Sequence, residues 1–144
     1  MADDVRSVDL VRTGALRFRA TNSHGGTLDM GDSTKGEFTP VELLLAGIAG
    51  CTAMDVDAIT LKRAPAEDFA VHIQANKIRD ADGNHLVNIQ VNFQVTFPEG
   101  EPGKAAEAVL ERAVRSSHDR LCTVSRTVEL PSPIEVQISG RPVS

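Results

Sequence analysis

At 144 residues, with 41% hydrophobic and 24% charged residues, the chain fits one globular domain (1–144) with its own core rather than a disordered segment. The net charge of −5 argues against a phosphate-backbone binder, and five Phe without Trp or Tyr leave few platforms for stacking nucleic-acid bases. The polar, acidic start MADDVRSVDLVRTG has no apolar signal region, and the uncharged run between Glu42 and Asp55 is short for a membrane span. A cytoplasmic protein with no membrane partner is expected.

In chain order, VDLV and ALRFRAT read as extended segments separated by Arg12-Thr13-Gly14, with a second turn at Asn22–Gly26 before TLDM. The loop GDSTKGEF leads to a clear helix start: Thr39 as N-cap, Pro40 at the first helical position and Glu42 closing a T-x-x-E capping box. The helix is expected to end near Leu61 or Lys62. Its first half is apolar on every face, so it should be surrounded by protein, and Gly47 and Gly50 weaken it locally while allowing close backbone approach.

FAVHIQANKI and HLVNIQVNFQVTF alternate apolar and polar residues around a D-A-D-G-N turn, which predicts an antiparallel hairpin with one buried face. Residues 104–118 follow helical spacing, with Ala105, Val109 and Ala113 on one side. A short helix is expected to carry Leu121–Ser125, and a last strand, IEVQI, to follow Pro131 and Pro133. The class is α+β with antiparallel sheet.

Cys51, inside the apolar helix, is either a small hydrophobe in packed surroundings or a thiol activated by cations and hydrogen-bond donors. Cys122 has polar, partly basic neighbours that suggest partial exposure. A structural disulfide is not expected in a reducing compartment, and spacing alone does not decide whether the two approach within the ~7 Å between Cα atoms that a bridge needs. Without supporting histidine spacing the pair cannot complete a four-ligand zinc site, so neither metal nor cofactor is expected. His118 fits a solvent-exposed helix end, and Asp55, sharing the helical face of Cys51, fits a structural role because a carboxylate there opposes thiolate formation.

The stretch PVELLLAGIAGCTAMDV resembles the cysteine helix of the OsmC/Ohr family, the osmotically inducible and organic hydroperoxide resistance proteins, and CTVSR resembles its second motif, Cys-x-x-Ser. The likeness covers essentially the whole chain and looks closest to a general OsmC-like subgroup. It implies an OsmC-like fold with a buried central cysteine helix in an intertwined homodimer, acting as an antioxidant thiol peroxidase in stress response. Cys51 would attack an organic hydroperoxide and become a sulfenic acid; Cys122 would resolve it as a disulfide, which a dithiol such as a lipoyl group reduces. The apolar helix, through Leu44 and Ile48, would line the substrate pocket.

Family enzymes also place an Arg and a Glu by the thiol. Arg12 matches the R-x-G turn that carries the Arg, or is a solvated turn residue; Arg17 and Arg19 follow in the next strand, and Arg126 is a further source of positive charge. The Glu position holds Val41, and Glu42 is displaced by ~100° around the helix, where capping is the favoured reading over catalysis. Val41 motivates the alternatives: an apolar-ligand-binding or redox-sensing dimer with little peroxidase activity.

Overall fold

The computed structural model describes residues 4–143. Contacts gather the chain into two compact units, Met1–Ala46 and Gly47–Ser144.

In the first unit, β1 (Val8–Gly14), β2 (Arg17–Asn22) and β3 (Thr27–Met30) form an antiparallel sheet in that order. Arg12-Thr13-Gly14 is not the turn. These residues end β1, with a break in register between Arg12 and Gly14, and the chain reverses at Ala15-Leu16. Leu16 there takes φ 58°, a left-handed conformation that turn signals assign to glycine or asparagine, which is why the sequence misplaces the reversal. The Asn22–Gly26 turn lies where expected, held by Asn22 Oδ1 accepting from the N–H groups of His24 and Gly26.

After a 3₁₀ turn at Ser33–Lys35, Glu37 forms a two-pronged ion pair with Arg17, Nε to Oε1 at 3.0 Å and Nη2 to Oε2 at 2.6 Å, and also accepts from the Asp32 N–H. The Arg17 hydrogen bond holds the Glu37 carboxyl below its usual range. The capping box closes as predicted: the Thr39 N–H donates to Glu42 at 2.8 Å, and the Glu42 N–H donates to Thr39 Oγ1 at 3.3 Å. Helix α1 (Pro40–Thr60) starts here and continues into the second unit.

By length and composition α1 could cross a bilayer, because the helix outruns the uncharged stretch. It nevertheless carries Glu42, Asp55 and Asp57. Its buried residues, Ile48, Ala49, Thr52, Val56 and Thr60, make one narrow stripe that repeats every four positions. The expectation of a helix surrounded on all faces is therefore not met within one chain: Val41, Leu44 and Met54 stay exposed. A Cβ on Gly50 would meet open space, and one on Gly47 only an ordinary contact with Val124, so packing inside the chain does not require either glycine.

The predicted hairpin forms from β4 (Asp68–Asp80) and β5 (Gly83–Thr96), with alternating half-buried and exposed residues along β4. Phe69 and Phe93 pack edge to face across it, with centroids 6.2 Å apart. A bulge opposite Ala75 puts Asn88 at φ 55°, and the Asn88 side-chain amide donates to Asn76 Oδ1.

Helix α2 (Glu101–Ser116) buries Gly103, Ala106, Val109 and Ala113; Ala105 faces outward, one residue off the predicted stripe. A Cβ on Gly103 would collide with the Pro98 carbonyl oxygen, which is rigid backbone. Gly103→Ala is expected to cost about 3 kcal/mol, read as a lowered denaturant midpoint with an unchanged slope.

A single π-helical turn, Ser117–Leu121, leads into α3 (Thr123–Glu129), so Cys122 caps the short helix instead of lying within it. The expected final strand is reduced to a small hairpin, β6 (Gln137–Ile138) with β7 (Arg141–Pro142).

Candidate functional site

The two cysteines meet. Cys51 lies on α1, one residue from the buried stripe, and is half-buried. Cys122 is fully buried, against the partial exposure its neighbours suggested. Of its polar neighbours, Ser117 and Ser125 are buried as partners, while His118, Asp119 and Arg120 face water. Ser117 is itself fully buried, and the Ser125 N–H donates to Cys122 Sγ at 3.4 Å. Cys51 Sγ, Cys122 Sγ and a carboxylate oxygen of Asp55 all lie within 4.8 Å of one another.

Asp55 is held by a short polar chain: Ser117 Oγ donates to Asp55 Oδ2 at 2.8 Å and lies 2.7 Å from Thr52 Oγ1. Thr52 and Asp55 present these groups from neighbouring turns of α1, while the π turn delivers Ser117 and then Cys122. A widened helical turn of this kind is frequent at functional sites.

Electrostatics split the pair. Burial pushes the Cys51 thiol up; a hydrogen bond from the Val124 N–H pulls it down, but the neighbouring Cys122 sulfur and the Asp55 carboxylate push the same way as burial. Burial also pushes Cys122 up, yet hydrogen bonds from the Ser125 hydroxyl and N–H, the Cys51 thiol and the Val124 N–H outweigh it, and the net shift is down. The Cys51 S–H is directed at the Cys122 sulfur, so negative charge is favoured on Cys122 over Cys51.

Beside it lies a cavity of about 550 Å³ with walls from Ile48, Leu86, Val87, Ile89, Val91 and Val128, and polar groups from Asn88, His118, Ser125 and Glu129. Ser125 joins the cavity to the thiol pair through its N–H on Cys122. His118 is exposed as expected and lies 3.4 Å from Glu129, while Arg126 reaches Glu129 at 3.5 Å and donates to the Asp119 carbonyl at 3.3 Å.

Of the other residues predicted for the site, Ile48 is buried and lines the cavity; Leu44 is exposed. Glu42 caps α1. Arg12 is an exposed β1 residue opposite Phe18 and has no ion pair among the described residues. A bidentate Arg–Glu pair forms within the first unit between Arg17 and Glu37. Sequence reading missed that pair and the Thr52–Ser117–Asp55 chain. Its one available signal was the small polar residues, Thr52 and Ser117, placed among apolar helix positions.

A dithiol, half-buried at Cys51 and buried at Cys122, seated between a long apolar helix and a capped short helix on an α+β chain with antiparallel sheets, defines the class of protein. The family follows from comparison. The chain belongs to the OsmC-like proteins: the family profile matches residues 31–137. An uncharacterized protein of Mycobacterium tuberculosis, Rv2923c, is 26% identical over 131 residues, covering 88% of this chain and 91% of that protein. The OsmC-like protein VCA0330 of Vibrio cholerae, of unknown function, superposes with a TM-score of 0.73 at 14% identity, over 88% of this chain and 95% of that one. The organic hydroperoxide resistance protein OhrB of Bacillus subtilis superposes with a TM-score of 0.50 at 19% identity, over 85% and 90%. These superpositions establish the OsmC-like fold.

Proposed function

We propose that the protein is a thiol peroxidase that reduces organic hydroperoxides through Cys51 and Cys122. The observation that carries this reading is the approach of two unbridged sulfurs to within 4.8 Å, one half-buried and one fully buried. The Cys51 thiolate attacks the distal peroxide oxygen; the O–O bond breaks, the leaving alkoxide takes a proton from water and departs as the alcohol, and Cys51 becomes a sulfenic acid. The Cys122 thiol then displaces water to give the Cys51–Cys122 disulfide. An external dithiol, such as a lipoyl group, returns both to thiols as it is itself oxidised. A reducing, cytoplasmic setting suits that cycle.

Access and charge point to different attacking sulfurs. The lowered thiol is Cys122, which favours a second reading in which Cys122 attacks first. We favour Cys51 because a fully buried sulfur meets no peroxide, and the proton shared across the pair can move to Cys122 as substrate arrives. The cavity's apolar walls suit the organic part of a hydroperoxide, and its size is in the range of small-molecule sites. Arg12 and Glu42 enter as thiol activators on resemblance alone, and the cap already engages Glu42.

The exposed apolar residues, among them Leu44, Met54, Leu121 and Leu130, support a homodimer that covers them. The family match, residues 31–137, runs across the boundary between the two compact units, which supports one OsmC-like domain over 1–144. The test is steady-state consumption of cumene hydroperoxide with dihydrolipoamide as reductant. Turnover that saturates with peroxide is expected; consumption no faster than that by dihydrolipoamide alone would leave the apolar-ligand-binding reading in its place.

A further inference from the structure

We infer that Cys51, Asp55 and Cys122 form a binding site for a thiophilic divalent cation, with zinc as the representative ion. Two sulfurs and a carboxylate oxygen within 4.8 Å of one another are a donor set that borderline-soft cations take. Around tetrahedral zinc, sulfurs held at about 2.3 Å lie about 3.8 Å apart, so small side-chain rotations bring this trio to ligand distance. Spacing along the sequence set aside a four-ligand site. Three protein ligands with a fourth position left for water is a different arrangement, and the fold assembles it from α1 and from Cys122, which follows the π turn and caps α3.

The surroundings match what a metal ligand needs. Ser117 Oγ–H donates to Asp55 Oδ2 and fixes the carboxylate's orientation, leaving its other oxygen to ligate, while Thr52 Oγ1 holds the Ser117 hydroxyl in turn. The Val124 N–H, and for Cys122 that of Ser125, supply hydrogen bonds that favour charged sulfur. Binding takes both sulfurs as thiolates, so the pair's protons pass to buffer and no group changes oxidation state. The ion would hold both sulfurs and the Asp55 oxygen, and thereby keep the thiols from forming a disulfide. The inference concerns the resting, reduced protein and stands whether or not the protein is a peroxidase.

The experiment titrates zinc into fully reduced protein by calorimetry, with cadmium in parallel to read the thiolate-to-metal charge-transfer absorption, and far-UV circular dichroism to establish folding of each variant. One ion per chain is expected, with the absorption present, proton release that grows as pH falls, and affinity weakened at least tenfold by Asp55→Asn. Cys51→Ser and Cys122→Ser should each remove the absorption. Binding that survives both cysteine variants, binding without the charge-transfer band, or affinity only in the millimolar range would overturn the assignment.

Discussion

Cys51→Ser is expected to abolish catalysed hydroperoxide consumption while leaving the fold intact. Residue 51 is half-buried and lies outside the buried stripe of α1, so the smaller, polar oxygen is tolerated. What the substitution removes is the sulfur that solvent and substrate can reach. Cys122 remains, but fully buried, and with the Cys51 thiol gone it loses one of the donors that lower its pKa. The variant protein should therefore consume no peroxide beyond the buffer control, as followed by loss of cumene hydroperoxide in a ferrous-dye assay. Retention of one oxidation equivalent per chain would transfer the attacking role to Cys122.

Cys122→Ser should do something different: one equivalent of peroxide is consumed and the reaction then stalls. Serine is a preferred N-cap, so its oxygen can accept from the Ser125 N–H and keep α3 in place. The sulfenic acid on Cys51 then has no partner and should be captured by dimedone, with the adduct located by mass spectrometry. The same substitution removes the Cys122 sulfur that pushes the Cys51 thiol up, so the Cys51 pKa should fall from its wild-type position, although burial and Asp55 still hold it high. Thiolate absorbance followed against pH reads this directly. A Cys51 pKa that stays where it is in wild type would mean that the two sulfurs are not coupled as described.

The sequence made some elements legible because their signals are local. Alternation along β4 and β5 and the reciprocal Thr39–Glu42 cap need no tertiary information; the cap formed as read, and the hairpin formed with its inner face half-buried rather than buried and a bulge interrupting β5. The OsmC-like class was legible too, from the two cysteine motifs. The turn between β1 and β2 was misplaced because Leu16 tolerates a backbone angle that sequence rules reserve for other residues. Polar neighbours made Cys122 look exposed, when Ser117 and Ser125 serve internal hydrogen bonds. Nothing local announces the π turn at Ser117–Leu121, whose first residue hydrogen-bonds Asp55 of α1. The Arg17–Glu37 pair joins a strand to a loop 20 residues on, a contact that one-dimensional spacing does not announce.

The most direct test of the central claim mixes fully reduced wild-type protein rapidly with cumene hydroperoxide, quenches with acid, and maps the products by mass spectrometry. The account predicts an intramolecular Cys51–Cys122 disulfide that forms far faster than a free thiol reacts, with one peroxide consumed per bridge. Both thiols still reduced after a matched free-thiol control has been oxidised would contradict it.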